Sequence, residues 1–349
     1  MLDPAASTEL LSLVQKLRDE GVTIVMITHD EAEARLADRI ITLEAGRITY
    51  DGAPDDSVIA RVFPPLPTRD ELEHYAREHM ATQRSEGAGA SVDANADAVA
   101  DTDMDAGAGA NGGSASMITF DKVSYSYDAP KRKRRQDIVP IHSALDRIDL
   151  TIDAGDTVAI MGPNGSGKST LVKHMNGLLK PNAGKVSVKG IPTSDRRGAN
   201  KARRIVGLCF QYAERQLFAQ TVYDDIAYGP LNAGCDKDEI DLRVRQAMDD
   251  VMLDFRTFAR RSPFKLSGGQ QRRVALAGVL AMDPDVLVLD EPCASLDPKT
   301  HIEFLHLIAR LKATGKTIVM ITHDEQEAKL LGERTIMMKD GRIIATDAS

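Results

Sequence analysis

The run Gly162-Pro163-Asn164-Gly165-Ser166-Gly167-Lys168-Ser169-Thr170 combines a glycine-rich turn with a lysine and hydroxyls. Such glycines let backbone N–H groups turn inward around phosphate oxygens, and a helix starting there adds the positive end of its dipole. Lys168 is then placed for β- and γ-phosphates and Ser169 for Mg2+. A second chemical pair, Asp290-Glu291, ends the apolar run Val286-Leu-Val-Leu289. Phosphoryl transfer needs one carboxylate near the metal and one near the attacking water, which assigns Asp290 to Mg2+ and Glu291 to the water. A third group is Leu266-Ser267-Gly268-Gly269-Gln270. There Ser267 offers a hydroxyl, Gly269 allows close backbone approach, and a helix from about Gln271 presents its N-terminus to phosphate.

These groups need elements that hold them. Residues 157–161 (TVAIM) predict a strand entering the glycine loop, with a helix from Leu171 leaving it. Residues 286–289, 317–321 (TIVMI) and 207–210 are short apolar runs without alternation. Runs apolar on both faces are those of a mostly parallel sheet covered on both sides. The fold class is therefore α/β.

Together the three motifs resemble the ABC ATPase family. The resemblance implies a P-loop NTPase fold with a RecA-like core, an antiparallel β-subdomain and a helical subdomain. It implies ATP and Mg2+ as ligands and ATP hydrolysis as the activity. It also implies head-to-tail pairing, in which Ser267, Gly268, Gly269 and Gln270 of one domain cap the γ-phosphate held by the other. Gln211 resembles the glutamine that senses Mg2+ and the γ-phosphate, and His323 the histidine that contacts the γ-phosphate. Tyr127 resembles the aromatic that stacks on adenine, with Tyr125 as a rival, since stacking needs only a flat π face. Asp297, in Ser295-Leu-Asp297-Pro, resembles the loop that couples paired domains.

The stretch Tyr212-Ala-Glu214-Arg-Gln216-Leu217-Phe218, continuing through Thr221 to Asn232, is similar to the energy-coupling-factor (ECF) subfamily. That subfamily powers uptake of vitamins and of cobalt or nickel ions. The resemblance implies three partners: a transmembrane coupling subunit, a substrate-binding membrane subunit and a second ABC ATPase domain. It implies a peripheral position on the cytoplasmic face of the membrane, with Glu214, Gln216, Leu217 and Phe218 facing the coupling subunit. The alternative is a soluble tandem ABC ATPase acting on ribosomes or nucleic acid. Another ABC importer class is also open.

The chain also repeats itself. Residues 2–34 match 296–328 at an offset of 317 − 23 = 294, with 19 identities in 33 positions and TIVMITHDE in both copies. Leu10, Leu11, Val14 and Leu17 form one apolar helical face, matched by Phe304, Leu305, Ile308 and Leu311. Residues 1–77 thus read as the C-terminal part of a first ABC ATPase domain, with strand TIVMI at its centre. It offers Asp3 and His29 as counterparts of Asp297 and His323, but no phosphate loop and no signature. The expectation is a tandem protein whose sequence here starts at an internal methionine. Residues 78–117 read as a flexible linker of Gly, Ala, Ser and Asp, too poor in apolar groups to order itself, and 118–349 as the complete domain.

The remaining composition excludes more than it assigns. A net charge of -8 gives no basic field for nucleic acid, so none is expected as a partner. The basic run Lys131–Arg135 reads as a solvated turn, or as a contact with anionic lipid. No apolar run reaches about 18 residues, the length that spans a bilayer. Cys209, Cys235 and Cys293 lack CxxC spacing and read as reduced thiols, not as a metal or disulfide framework.

Overall fold

The structure is a computed structural model, and it describes residues 4–44, 46–87, 115–127 and 143–348. The short apolar runs become the interior of a 6-stranded sheet. They are β5 (Thr157–Met161), β9 (Val286–Asp290) and β10 (Thr317–Ile321), and every residue in them is buried. β8 (Val206–Cys209) pairs with β9, and β11 (Arg334–Lys339) with β5, all in parallel. β12 (Arg342–Ala348) closes one edge antiparallel to β11. Side chains alternate between faces along each strand. Leu287, Leu289, Ile318 and Met320 therefore join one core, and Val286, Val288, Val319 and Ile321 the other.

The second core is covered by α5 (Lys168–Met175) and by an antiparallel sheet. That sheet comprises β3 (Ser116–Tyr125), β4 (Leu145–Asp153), β6 (Ala183–Val188) and β7 (Ile191–Pro192), in the order β4-β3-β6-β7. α6 (Arg196–Ile205) leads from it into β8. The first core is covered by helices α7 (Val222–Ala233), α8 (Lys237–Asp250), α9 (Phe255–Phe258), α10 (Gly268–Leu280) and α11 (Pro298–Ala313). α12 (Glu325–Leu331) follows β10. Core, antiparallel sheet and helical part are those the family resemblance implies.

The N-terminal segment behaves differently from its repeat partner. It contains α1 (Pro4–Asp19), α2 (Glu31–Arg35), the antiparallel hairpin β1 (Ile40–Glu44) and β2 (Arg47–Gly52), α3 (Asp56–Val62) and α4 (Arg69–Gly87). Residues 23–28 form no strand, contrary to expectation. Val25 and Ile27 are 91% and 93% exposed, whereas their counterparts Val319 and Ile321 are fully buried. The reason is pairing. β10 lies between β5 and β9, and the described residues give TIVMI at 23–27 no such neighbours. Leu10, Leu13 and Leu17 of α1 are exposed too.

α4 corrects the expected linker start at residue 78. The helix continues to Gly87 because its first half is held down and its second half is rich in helix formers. Leu72 and Ala76 are buried in the same core as Phe304, and Tyr75 lies 4.2 Å from the His306 ring of α11. Arg69 donates to the carbonyls of Leu330 and Gly332. The linker residues 88–114 and the basic run lie outside the described residues.

Candidate nucleotide site

β5 ends at Met161, and the glycine loop turns at once into α5. Gly162 has φ +143°, and a Cβ there would stand 2.1 Å from the Met338 carbonyl oxygen, so only glycine fits. Lys168 is buried at the first turn and donates to the Gly162 and Pro163 carbonyls at 2.7 and 3.0 Å. It therefore lies over the loop's own concavity, where phosphate oxygens would replace those carbonyls. Ser166 is buried, Asn164 and Gly165 are exposed, and the Ser169 hydroxyl hydrogen-bonds Asp290.

Asp290 is mostly buried at the end of β9. Burial raises its pKa, the neighbouring Glu291 charge adds to this, and Ser169 opposes it. A desolvated carboxylate beside a hydroxyl is a set of hard oxygen donors that suits Mg2+. Ser169 and Asp290 would hold the ion. The ion would supply positive charge to offset that of the phosphates.

Glu291 takes a left-handed backbone, φ +51°, as the chain leaves the sheet. This aims its carboxylate between two partners. Gln211, beyond β8, donates Nε2 to Glu291 Oε2 at 2.5 Å, and His323 Nε2, beyond β10, lies 2.8 Å from Glu291 Oε1. Both His323 and Glu291 have nearly buried side chains. The three residues come from three separate strand ends and meet at the carboxyl edge of the sheet, where open α/β sheets bind ligands. A carboxylate fixed at both oxygens keeps one orientation and can polarise a water on its free side.

Tyr127 is 60% exposed, and its hydroxyl lies 3.2 Å from Thr170 Oγ1. It stands edge-on to the half-buried Tyr125 at 5.0 Å, and Tyr125 stands edge-on to His174 at 4.8 Å. Of the two rivals, Tyr127 is the one with an open face beside the phosphate loop. His174 is fully buried, and burial lowers its pKa. The unfolded chain then binds more protons below about pH 6.5, so stability should fall as pH drops beneath that value. Thermal melts from pH 7.5 to 5.5 should show this loss, and H174Q should reduce the slope.

The segment 267–270 caps α10. Ser267 Oγ accepts from Gln270 N, and Gln270 returns its side-chain oxygen to Ser267 N, a capping box. The helix starts at Gly268 rather than near Gln271. The close approach expected of Gly269 is spent internally, since a Cβ there would meet Thr300 Cγ2 at 2.5 Å. Gly268 is the residue with open space around it. Asp297 caps α11, accepting from Thr300 N at 3.1 Å and Thr300 Oγ1 at 2.6 Å.

The four residues expected on the partner-facing surface divide. Gln216 and Phe218 are exposed, and Phe218 packs edge-on to the exposed Tyr228 at 4.8 Å, with Leu231 62% exposed in the same α7 helix. Leu217 is instead buried in the first core, because the turn after Gln216 directs it inward against the helices there. Glu214 is largely covered by its ion pair with Arg272 at 3.4 Å.

The sequence profile of the family described as ABC transporter matches residues 145–294. Energy-coupling factor transporter ATP-binding protein EcfA2 of Symbiobacterium thermophilum is 49% identical over 201 residues, covering 57% of this chain and 69% of that protein. The chain belongs to the ABC transporter family. A putative ABC transporter ATP-binding protein of Bifidobacterium longum is 37% identical over 97% of the chain, which spans only 43% of that relative's length. The solved structure of cbiO1 from Clostridium perfringens, described as part of the ABC transporter complex cbiONQ, superposes with a TM-score of 0.59 at 35% identity. It covers 67% of this chain and 88% of its own.

The ABC domain also depends on residues that motif reading passes over. Arg272, buried in α10, donates to the carbonyls of Pro292 and Ala294 at 3.0 and 2.7 Å and pairs with Glu214. One guanidinium thus ties the helix that Ser267–Gln270 opens to the Gln211 loop and to the segment following Glu291. Asp225 accepts from the backbone N–H groups of Phe218 and Ala219, fixing the exposed aromatic. The signal for Arg272 was an arginine on the apolar face of a helix, Gln271-Arg272-Arg273-Val274.

Proposed function

We propose that this chain is an ATP-hydrolysing component of an ECF-type importer, docked on a membrane-embedded coupling subunit. The observation that carries this reading is the exposed Phe218–Tyr228–Leu231 surface at the end of the Gln211 loop. An aromatic anchor held by Asp225, beside a loop whose glutamine touches the catalytic carboxylate, suits transmission of nucleotide state to an apolar partner helix. Relatives named as ECF transporter ATP-binding proteins support it. Among the described residues no helix is long and apolar enough to cross a membrane.

Two ABC domains pair head to tail in this reading. Lys168 and the glycine loop of one domain hold the phosphates, Tyr127 stacks on adenine, and the Ser267–Gln270 segment of the other caps the γ-phosphate. Glu291 orients the water, with His323 and Gln211 holding it, and Asp297 joins the two sites. A second domain is required, so turnover should rise steeply with protein concentration. The solute is a vitamin or transition-metal ion bound by a separate membrane subunit.

The test is affinity purification of the tagged chain from detergent-solubilised membranes. An integral membrane subunit should co-purify, and Phe218→Ala should weaken its capture by about 30-fold, the effect of losing a hot spot of about 2 kcal/mol. Recovery with ribosomes or nucleic acid instead sinks the importer reading.

A further inference from the structure

Away from the Glu291 carboxylate, the fold brings together a second set of groups that phosphoryl transfer does not use. Cys293 lies in the segment between Glu291 and Asp297, His301 in the first turn of α11, and Glu327 in α12, just beyond His323. Their ligand atoms all lie within 4.8 Å of one another. Cys293 and Glu327 are each only 5% exposed. His301 Nε2 is buried and lies 2.8 Å from Glu327 Oε1, an ion-pair distance without hydrogen-bond geometry. The other carboxylate oxygen is fixed by the Thr322 hydroxyl at 2.5 Å.

We propose that Cys293, His301 and Glu327 form a binding site for one divalent metal ion of the borderline class, Zn2+ or Co2+. Thiolate, imidazole and carboxylate are the donor set of tetrahedral zinc, with ligand bonds of about 2.0–2.3 Å. Ligand atoms on such an ion stand about 3.3–3.7 Å apart, so the His301–Glu327 pair, at 2.8 Å, opens slightly, and all three atoms already lie within 4.8 Å of one another. Thr322 supplies the outer hydrogen bond that orients the ligating carboxylate. His301 also lines a cleft of about 480 Å3 shared with His29, Asp30, Glu31, Arg35 and Asp324, which borders the buried ligand atoms; a water would complete the fourth position. Binding is balanced by release of the thiol proton: the Cys293 S–H bond breaks, an S–metal bond forms, and H+ leaves to solvent. This revises the sequence reading of Cys293 as a plain reduced thiol. An ion here would bridge the segment that carries Glu291 to the helix that follows His323.

The site is tested with Co2+ alone, added to the full chain at pH 7.5. A tetrahedral Co2+ spectrum with a thiolate-to-cobalt charge-transfer band should appear, saturate at one equivalent per chain, and disappear on adding Zn2+. The band should be lost in C293S and in H301A and kept in C235S, with thermal midpoint and ATP binding confirming that each variant is folded. Should C293S fail to fold, H301A alone decides, by loss of the imidazole ligand. Weak octahedral bands without charge transfer, such as Ser169 and Asp290 would give, overturn the proposal. So does a charge-transfer band of full strength in C293S or H301A.

Discussion

Replacing Glu291 by Gln should lower ATP turnover by about 10^2–10^4-fold while leaving ATP binding in place, the effect of removing a positioned general base. The geometry argues for both halves. Glutamine keeps the size of the side chain and a hydrogen bond to Gln211 or His323, so the phosphate loop, Lys168 and Tyr127 are undisturbed. What disappears is the negative charge held between those two residues. Phosphate release is the measurement for turnover, and binding of a fluorescent ATP analogue for affinity. Both belong at protein concentrations where the unsubstituted chain turns over, since the proposed mechanism needs two paired domains. Wild-type turnover in E291Q would remove Glu291 from its role. Loss of binding would show that the substitution had disturbed the loop.

Arg272→Ala should destabilise the domain by about 3–5 kcal/mol, the cost of breaking a buried ion pair from one side. The guanidinium serves three acceptors from two other segments, and its removal leaves the Pro292 and Ala294 carbonyls and Glu214 without a donor. In a domain of this size that corresponds to a fall in melting temperature of roughly 6–20 °C. Arg272→Lys keeps a charge but loses the planar fork, and should fall between the two. A melting temperature for R272A within 2 °C of the unsubstituted chain would mean that water satisfies these acceptors.

The candidate nucleotide site was legible because its chemistry is local in sequence. A glycine loop between strand and helix, and two carboxylates at a strand end, specify their own context. The convergence of Gln211 and His323 on Glu291 was reached through resemblance, since nothing in spacing brings residues 211, 291 and 323 together. Only the parallel order of β8, β9 and β10 does so. Leu217 was misplaced for a related reason. Whether a loop residue faces in or out depends on the helices behind it, which motif matching does not see. The segment TIVMI at 23–27 is the clearest failure of local reading. The same five residues make a buried strand at 317–321 and none near the N-terminus, because a strand is a property of its neighbours as much as of its side chains. The Cys293–His301–Glu327 cluster was invisible for lack of any recognisable spacing.

The burial of α4 against α11 sets an order for assembly during synthesis. Leu72 and Phe304 belong to one core although they stand 304 − 72 = 232 residues apart. At a translation rate of about 5–20 residues per second, Leu72 and Ala76 wait roughly 12–46 s for the helix that covers them. Contacts of such long separation form late and slowly. The apolar stripe of α4 is therefore open to chaperones, and to neighbouring nascent chains on the same polysome, until almost the whole chain has been made.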